Sequence, residues 1–148
     1  MTTAEDLRAI EEFFHQQIPL TRAMDLQVEA YDGAQLVLTA PLAANHNHLG
    51  TAFGGSLAAM AMVAGYGLVW LMLGRREGHV VVRDASINFR RPIRGVLRAV
   101  CRRPDDATVA DFLSKFANAR NAHLRLEVAI EQDDRVAVHF EGTFVATR

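Results

Sequence analysis

Residues 47–73 read NHLGTAFGGSLAAMAMVAGYGLVWLML, a polar, glycine-containing loop that runs directly into a long apolar segment. No charged residue occurs between Leu49 and Gly74. This length and composition satisfy the hydropathy criterion for a membrane-spanning helix, but they also suit a helix that protein buries on all sides. The central question for this sequence is therefore whether the segment spans a membrane or forms the core helix of a folded domain.

The flanking sequence favours a helix buried in protein. Alternation of apolar and polar residues, which is typical of half-buried strands, occurs on both sides of the segment. The clearest case is the run Leu124, Leu126, Val128 and Ile130, which is followed after Gln132-Asp133-Asp134 by Val136, Val138, Phe140 and Phe144. Glycines within 47–73 would also let a wrapping sheet approach the helix backbone closely. We expect residues 57–73 to form a core helix and not a membrane span.

Two amphipathic helices and several strands are predicted around this segment. One helix begins at Thr3, whose spacing to Asp6 is that of a capping box, and is closed by Pro19; another begins near Pro104. A turn at 32–33 joins extended runs at 25–30 and 34–40, and further strands are expected at 80–89 and 96–102. Together with the hairpin over 124–144, this order predicts an α+β domain in which a curved antiparallel sheet wraps around one long central helix.

Length, charge and cysteine content limit the classes of function. A chain of 148 residues, half of them hydrophobic, is expected to form a single domain over residues 1–148. The net charge of −1, without acidic or basic blocks, gives no reason to expect a nucleic-acid or membrane partner. The single cysteine, Cys101, excludes an internal disulfide and is expected to be buried. The N-terminal residues do not resemble a signal peptide, so a cytoplasmic location is expected.

Two motifs resemble the hot-dog-fold acyl-CoA thioesterase superfamily. Asn47-x-x-Gly50-x-x-Phe53-Gly54-Gly55 resembles the pattern Asn-x-x-Gly-x-x-His-Gly-Gly of phenylacetate-type thioesterases, and Ile87-Asn88-Phe89-Arg90-Arg91-Pro92 resembles the end of their third strand. The resemblance spans nearly the whole chain and is greatest to the small thioesterase-like domains that some bacteria fuse to acetyltransferase domains. It implies the hot-dog fold and an active site between two subunits, and therefore a homodimer or a dimer of dimers.

The loop suits thioester chemistry. A helix N-terminus offers unpaired N–H groups and a partial positive charge, so the amides of Gly54, Gly55 or Ser56 could stabilise the oxyanion that forms on a thioester carbonyl. By resemblance, Asn47 would hold the attacking water or the thioester; the alternative is that Asn47 only turns or caps the loop. Gly50, Phe53 and Gly54 are expected to contact the substrate.

The chain departs from the phenylacetate-type pattern at two positions. The Asp or Glu that this pattern places on the central helix is replaced by Met62, and the histidine before the two glycines is replaced by Phe53. Candidates for the missing general base are His46, His48 and Asp84. Alternatively, the two histidines are solvated and Asp84 contacts the substrate or pairs with a neighbouring arginine.

Arginines near Pro92 could hold the phosphate groups of a thioester substrate. Arg90 and Arg91, with Arg94 nearby, carry guanidinium groups that suit phosphate oxygens such as those of coenzyme A, although a solvated strand end would have the same composition. His46 and His48 could ligate a metal, but no further cluster completes a site at familiar spacing. Neither a metal nor a cofactor is expected.

The leading functional hypothesis is a thioesterase that hydrolyses an acyl-CoA or acyl-carrier thioester at a subunit interface. A second hypothesis is a non-catalytic protein that binds or senses acyl thioesters, which the missing helix carboxylate favours. A third is a dehydratase or hydratase of 3-hydroxyacyl thioesters, which would require a loop histidine paired with a helix acid; His48 is present but the acid is not. The sequence leaves the acyl chain open.

Overall fold

A six-stranded antiparallel sheet curves around one long helix in the computed structural model, which describes residues 2–74 and 78–148. The helices are α1 (Ala4–Gln17), α2 (Pro19–Ala23), α3 (Gly54–Met72) and α4 (Asp106–Asn118), with a 3₁₀ turn at Leu42–Ala44. The strands are β1 (Gln27–Tyr31), β2 (Gln35–Ala40), β3 (His79–Phe89), β4 (Leu97–Arg102), β5 (Asn121–Gln132) and β6 (Arg135–Thr147). Their order across the sheet is β1-β2-β4-β5-β6-β3, and α3 packs against every strand from β2 to β6. This is the predicted α+β hot-dog architecture.

Helix α3 is buried because the sheet and the N-terminal helices cover most of its surface. Gly65 lies so close to the Phe144 ring that a Cβ atom would be 2.2 Å from Cζ, and Gly67 would meet the Phe14 ring at 2.5 Å. These close approaches explain two glycines in a helix interior, where glycine is otherwise unfavourable. By length and composition α3 could cross a membrane, a property that it shares with core helices of soluble proteins. The expectation of a central core helix is confirmed.

The N-terminal helix is confirmed with one change. Thr3 caps α1 through a capping box, since its Oγ1 accepts from the Asp6 amide at 3.1 Å and its own amide donates to Asp6 Oδ2 at 2.8 Å. Pro19, predicted only to close this helix, also begins α2, because proline lacks the N–H that the first helical turn leaves unpaired. Phe13 stacks on Trp70 with ring centroids 3.9 Å apart and so attaches α1 to α3.

The two edges of the sheet are β1 and β3. Among the described residues, β3 pairs with β6 alone, so its other edge has no partner strand there along His79–Phe89. Val81 and Phe89 on this strand are 58% and 52% exposed. A long edge that carries exposed apolar side chains is a surface that proteins usually cover.

Cys101 lies in the middle of the sheet, on β4. Its burial raises the pKa of its thiol to about 12, as expected for a structural cysteine.

Replacing Ala61 by Asp should unfold the protein. Ala61 is fully buried on α3, so an aspartate there would place an unpaired carboxylate in the core, at a cost of about 3 kcal/mol or more. The neighbouring change Met62→Asp is the matched control, because Met62 is 36% exposed and a carboxylate there can reach water. Thermal unfolding followed by circular dichroism checks this; equal melting temperatures for both variants would contradict the burial of α3.

Candidate active site

The loop before α3 is held to three parts of the chain by backbone hydrogen bonds and by the side chain of Asn45. Phe53 N–H donates to the Asn45 carbonyl at 2.7 Å, and Ala52 N–H donates to the Ile93 carbonyl at 2.8 Å. Asn45 is itself buried, and its Nδ2 donates to the carbonyls of Met24 at 2.9 Å and Pro41 at 2.8 Å. The loop is therefore a fixed part of the fold, attached to α2, to the end of β2 and to the segment after β3.

Asn47 closes the loop with its side chain. Its Oδ1 accepts from the amides of Leu49 at 2.9 Å and Thr51 at 3.2 Å, and its Nδ2 donates to Thr51 Oγ1 at 2.9 Å. Gly50 lies at the tip with φ +76°, a left-handed conformation that glycine adopts without strain. These contacts correspond to the turn-forming alternative for Asn47, and they leave one Nδ2 hydrogen for a further partner. A contact between Asn47 and water or thioester stays a prediction.

The N-terminus of α3 is open. Phe53 is the N-cap residue but its side chain makes no capping bond, and the first backbone bond of the helix runs from Leu57 N–H to Phe53 O at 3.1 Å. Within residues 2–74 and 78–148, the amides of Gly54, Gly55 and Ser56 have no acceptor. Such amides and the helix dipole together favour negative charge at this point. The three amides predicted as donors thus lie next to one another in the first turn of α3, where no side chain caps them.

Two aromatic rings flank these amides. A Cβ atom on Gly55 would lie 2.3 Å from Phe53 Cε2, and one on Gly54 would lie 3.5 Å from Phe89 Cε1. Both rings are more than half exposed, Phe53 at 55% and Phe89 at 52%. The two glycines therefore leave a narrow apolar gap in front of the helix N-terminus. Phe53 was predicted as a substrate contact, whereas Phe89 was not.

The loop histidines differ in their contacts. Both side chains are exposed, and His46 Nδ1 lies 2.9 Å from the Asn47 carbonyl oxygen. Because a carbonyl oxygen can only accept, Nδ1 carries the hydrogen of this contact, and Nε2 makes no hydrogen bond within the described residues. His48 has no such contact within the described residues. Neither histidine is brought together with further metal-ligating groups in that part of the chain.

Asp84 is not brought to the loop. It lies opposite Thr143 in the sheet, on the face that points away from α3, and its carboxylate accepts from Arg83 Nε at 3.1 Å. This hydrogen bond from Arg83 holds the pKa of Asp84 below its usual value. Because successive strand residues rise about 3.3 Å, Asp84 is also about 16 Å along β3 from Phe89. Within one subunit, Asp84 therefore contacts neither the loop nor the helix N-terminus.

The arginines after β3 do lie beside the loop. The amides of Arg90 and Arg91 both donate to the Ala137 carbonyl, at 2.8 and 3.1 Å, and Ile93 in the same segment bonds to Ala52. Arg135 lines a cavity of about 370 Å³ together with Arg91. Among the described residues, the side chains of these three arginines form no ion pair. Asp133 lines the same cavity, so two arginines and one carboxylate meet there. We call this region, together with Arg90, the cationic corner; it adjoins the segment that bonds to the loop.

A potential cation-binding cluster lies elsewhere. Glu127, His139 and Glu141 place their ligand atoms within 4.8 Å of one another on β5 and β6. Glu127 and Glu141 are direct partners across these strands, so the cluster depends on strand register, which sequence spacing did not reveal. Arg125 already pairs with Glu141 and holds the pKa of that carboxylate below its usual value.

Met62 faces the same side of α3 as Gly55. The two residues are seven positions apart, which is two helical turns, and Met62 is partly exposed. Met62, which replaces the carboxylate of the phenylacetate-type pattern, thus lies on the face of α3 that also carries Gly55, called the accessible stripe below, and not in the core. The loss of this carboxylate therefore changes the candidate site.

A curved sheet around a central helix, with a glycine-rich loop at the helix N-terminus, defines a hot-dog-fold protein. Residues 7–148 match the model of the family described as "Putative thioesterase (yiiD_Cterm)", and the chain belongs to this family.

Solved structures agree with this assignment. A protein of unknown function from Chlorobaculum tepidum TLS is 32% identical, with a TM-score of 0.91, over 99% of this chain and 98% of that chain. A "putative thioesterase" from Shewanella oneidensis is 27% identical, with a TM-score of 0.84, over 99% of this chain and 100% of that chain. A "Probable Thioesterase" from Pseudomonas aeruginosa has a TM-score of 0.82 at 20% identity, over 95% of this chain and 94% of that chain, and supports the fold alone.

Sequence reasoning missed Asn45, Phe89 and Arg135. Phe89 stands in the motif at 87–92, so its place at the end of β3 next to the loop was a usable signal. Arg135 reaches the cationic corner only through the pairing of β5 with β6, and Asn45 is buried only because α2 and β2 meet there. No local pattern indicates either of the last two.

Asn47→Ala should loosen the loop, whereas Asn47→Asp should not. Alanine removes the acceptor of the Leu49 and Thr51 amides, but aspartate keeps it, and Thr51 Oγ1 can then donate to its second oxygen. Hydrogen exchange at the Leu49 and Thr51 amides should rise about tenfold or more only in the alanine variant, in line with a lost bond of about 1.5 kcal/mol. The Ala52 amide, which bonds to Ile93, is the internal control. Unchanged exchange in Asn47→Ala would refute the loop-closing role.

Proposed function

We propose that this protein is a thioesterase that hydrolyses acyl thioesters of coenzyme A or of an acyl carrier at the N-terminus of α3. The observation that carries the proposal is the open helix N-terminus, where the amides of Gly54, Gly55 and Ser56 have no acceptor within the described residues. Membership of a family described as thioesterases supports the same reaction.

The amides would act on the carbonyl oxygen of the thioester. Water adds to the carbonyl carbon, the oxygen takes on negative charge, and the C–S bond then breaks to give a carboxylic acid and a free thiol. Fixed N–H donors stabilise that charge only as it develops, and one such donor can contribute about 3 kcal/mol. Phe53 and Phe89 would flank the thioester and exclude bulk water, which strengthens the amide contacts.

His46 is the group best placed to accept the proton from water. Its Nδ1 is committed to the Asn47 carbonyl, so Nε2 is free to act as a base. Asn47 would act on the reaction as a positioning residue, since it fixes both its own carbonyl and the loop. His48, the other loop imidazole, lacks such an orienting contact within the described residues.

Arg90 and Arg91 would hold the phosphorylated end of the substrate. Their guanidinium groups are exposed, unpaired within the described residues and attached to the segment that bonds to the loop. Arginine binds phosphate oxygens through two parallel N–H donors, which suits the phosphates of coenzyme A and of a phosphopantetheine group.

A second copy of the chain would complete the site by pairing along β3. The unpaired edge of β3, with exposed Val81 and Phe89, ends beside the helix N-terminus. Antiparallel pairing of two such edges would join the two sheets, satisfy the free backbone groups and cover the apolar side chains. The partner would then face each candidate site across the interface.

A second candidate function is a non-catalytic acyl-thioester binder. The observation that favours it is Met62, an apolar side chain on the accessible stripe, at the position where the phenylacetate-type pattern has a carboxylate that serves as base or nucleophile. Such a protein would bind acyl-CoA at the same helix N-terminus without releasing thiol.

Gly55→Val should reduce hydrolysis strongly without unfolding the protein. The added side chain would displace the exposed Phe53 ring and cover the amides, so kcat/KM for acyl-CoA should fall at least tenfold in a thiol-release assay. Gly95→Val is the control, because a Cβ atom there meets nothing within 4 Å. No thiol release by the wild type, together with measurable acyl-CoA binding, would instead support the binder.

His46→Ala should lower kcat more than His48→Ala does in the same assay. Loss of a general base costs typically 10²- to 10⁴-fold, whereas loss of a solvated imidazole should cost less than about threefold. Equal rates for the two variants would remove His46 from the reaction.

Val81→Lys should yield a folded monomer, because a charge on the β3 edge opposes its pairing with a second copy. Val96→Lys is the matched control, since Val96 is equally exposed at 60% but lies outside β3. Sedimentation velocity should give half the wild-type mass for the first variant and the wild-type mass for the second. A monomeric wild type would exclude the shared site.

A further inference from the structure

A cavity of about 440 Å³ lies between α2, α3 and the start of β3. Ala59, Met62 and Tyr66 of α3 form one wall, and Val80 and Val82 of β3 form another. The third wall comes from α2 and its flanks. The cavity is of the size that small-molecule sites commonly have.

This cavity lies along the accessible stripe of α3. Gly55, Ala59, Met62 and Tyr66 follow one another at intervals of three or four, so they lie along the same face of the helix. Eleven residues separate Gly55 from Tyr66, which corresponds to about 16 Å along the axis. The Phe53 ring lies over the Gly55 end of this face, and its residue is 55% exposed. A molecule whose carbonyl meets the Gly55 amide beside this ring can therefore extend along the face towards the cavity.

The lining suits an aliphatic chain. No charged side chain lines the cavity within the described residues. The hydroxyl of Thr21 is already occupied, since it donates to the Ile18 carbonyl at 2.8 Å. Tyr66 is half-buried, and this burial raises the pKa of its phenol, so the group stays neutral at physiological pH. The remaining polar groups are the amide of Gln17 and the Tyr66 hydroxyl, and the other lining residues are aliphatic or aromatic. The cavity thus offers mainly apolar contact and, from the described residues, no charged partner for an acyl group.

We propose that this cavity binds the straight aliphatic chain of the thioester, about ten to fourteen carbons long. The proposal rests on the proposed function for the position of the carbonyl. An extended chain advances about 1.2 Å per bond, because three backbone bonds span about 3.6 Å, so 16 Å corresponds to about thirteen bonds. Ala59 is the residue that admits the chain, since it is the small side chain between the carbonyl site and the cavity.

The test compares S-butyl-CoA with S-dodecyl-CoA, thioethers that bind without being hydrolysed. Each buried methylene should tighten binding about two- to fourfold, so calorimetry should show at least a hundredfold preference for the dodecyl compound. Ala59→Phe should reduce this ratio at least thirtyfold, because a ring at that point would block the path about one helical turn, or four to five carbons, from the carbonyl. Ala110→Phe, the same change on the exposed face of α4, should leave the ratio unchanged.

Met62→Asp serves as a second variant in case Ala59→Phe does not fold. Met62 lines the cavity but is partly exposed, so a carboxylate there should keep the fold and still reduce the dodecyl-to-butyl ratio at least tenfold. Equal affinity for the two thioethers, or a ratio that neither variant changes, would overturn the proposal.

Hydrolysis of a chain-length series from acetyl- to hexadecanoyl-CoA, with phenylacetyl-CoA, separates the two proposals. Thiol release that peaks near dodecanoyl-CoA supports both. Release that is fastest for acetyl- or phenylacetyl-CoA overturns the proposal that the cavity binds an aliphatic chain, but it agrees with the proposed thioesterase function. No release with any substrate, alongside a dodecyl preference that Ala59→Phe removes, overturns the thioesterase and leaves the chain-binding cavity standing.

Discussion

The burial of α3 is the constraint on which the rest of the structure depends. Its 19 residues include no charged side chain, so the helix is stable only when other elements remove it from water. The curved sheet covers most of its circumference, and α1 covers part of the remainder through the stack of Phe13 on Trp70. Glycines replace larger residues where the Phe14 and Phe144 rings press on the helix. Alternation in the long strands β5 and β6 follows from the same requirement, since one face of each packs towards α3.

A helix leaves backbone N–H and C=O groups without intrahelical partners only at its ends. At the N-terminus of α3, the preceding loop is closed by Asn47 and anchored by Asn45 to the ends of α2 and β2, and neither side chain caps the helix. The buried Oδ1 of Asn45 has no hydrogen-bond partner within the described residues. Gly54 and Gly55 keep side chains away from the free amides, and Phe53 and Phe89 enclose the space in front of them. The groups that lie directly at this end of α3 are therefore backbone amides that the fold leaves without an acceptor in the described residues, whereas the candidate side chains, His46 and the arginines, lie in the flanking loop and segment.

The β3 edge brings the functional features together. Its C-terminal end touches the helix N-terminus through Phe89, its N-terminal half lines the apolar cavity, and the cationic corner follows directly after it. Several other arginines of the chain pair with a carboxylate, as Arg98 does with Glu29 at 2.9 Å, whereas Arg90, Arg91 and Arg135 do not within the described residues. The helix N-terminus, the apolar cavity and the cationic corner thus all lie along β3 or directly after it.

The sequence by itself determined the central helix, the hairpins and the position of the loop, because helical and strand periodicities and turn residues are local properties. It also determined that Met62 could not serve as a base and that Gly54 and Gly55 would stand at a helix start. Only the tertiary structure decided that Asp84 faces away from α3 and that Arg135 lines the same cavity as Arg91. It also decided that the Asn47 side chain bonds to Thr51 and Leu49. The physical reason is that strand register and bulges set which side chains meet across the sheet, and these depend on packing between residues far apart in the chain.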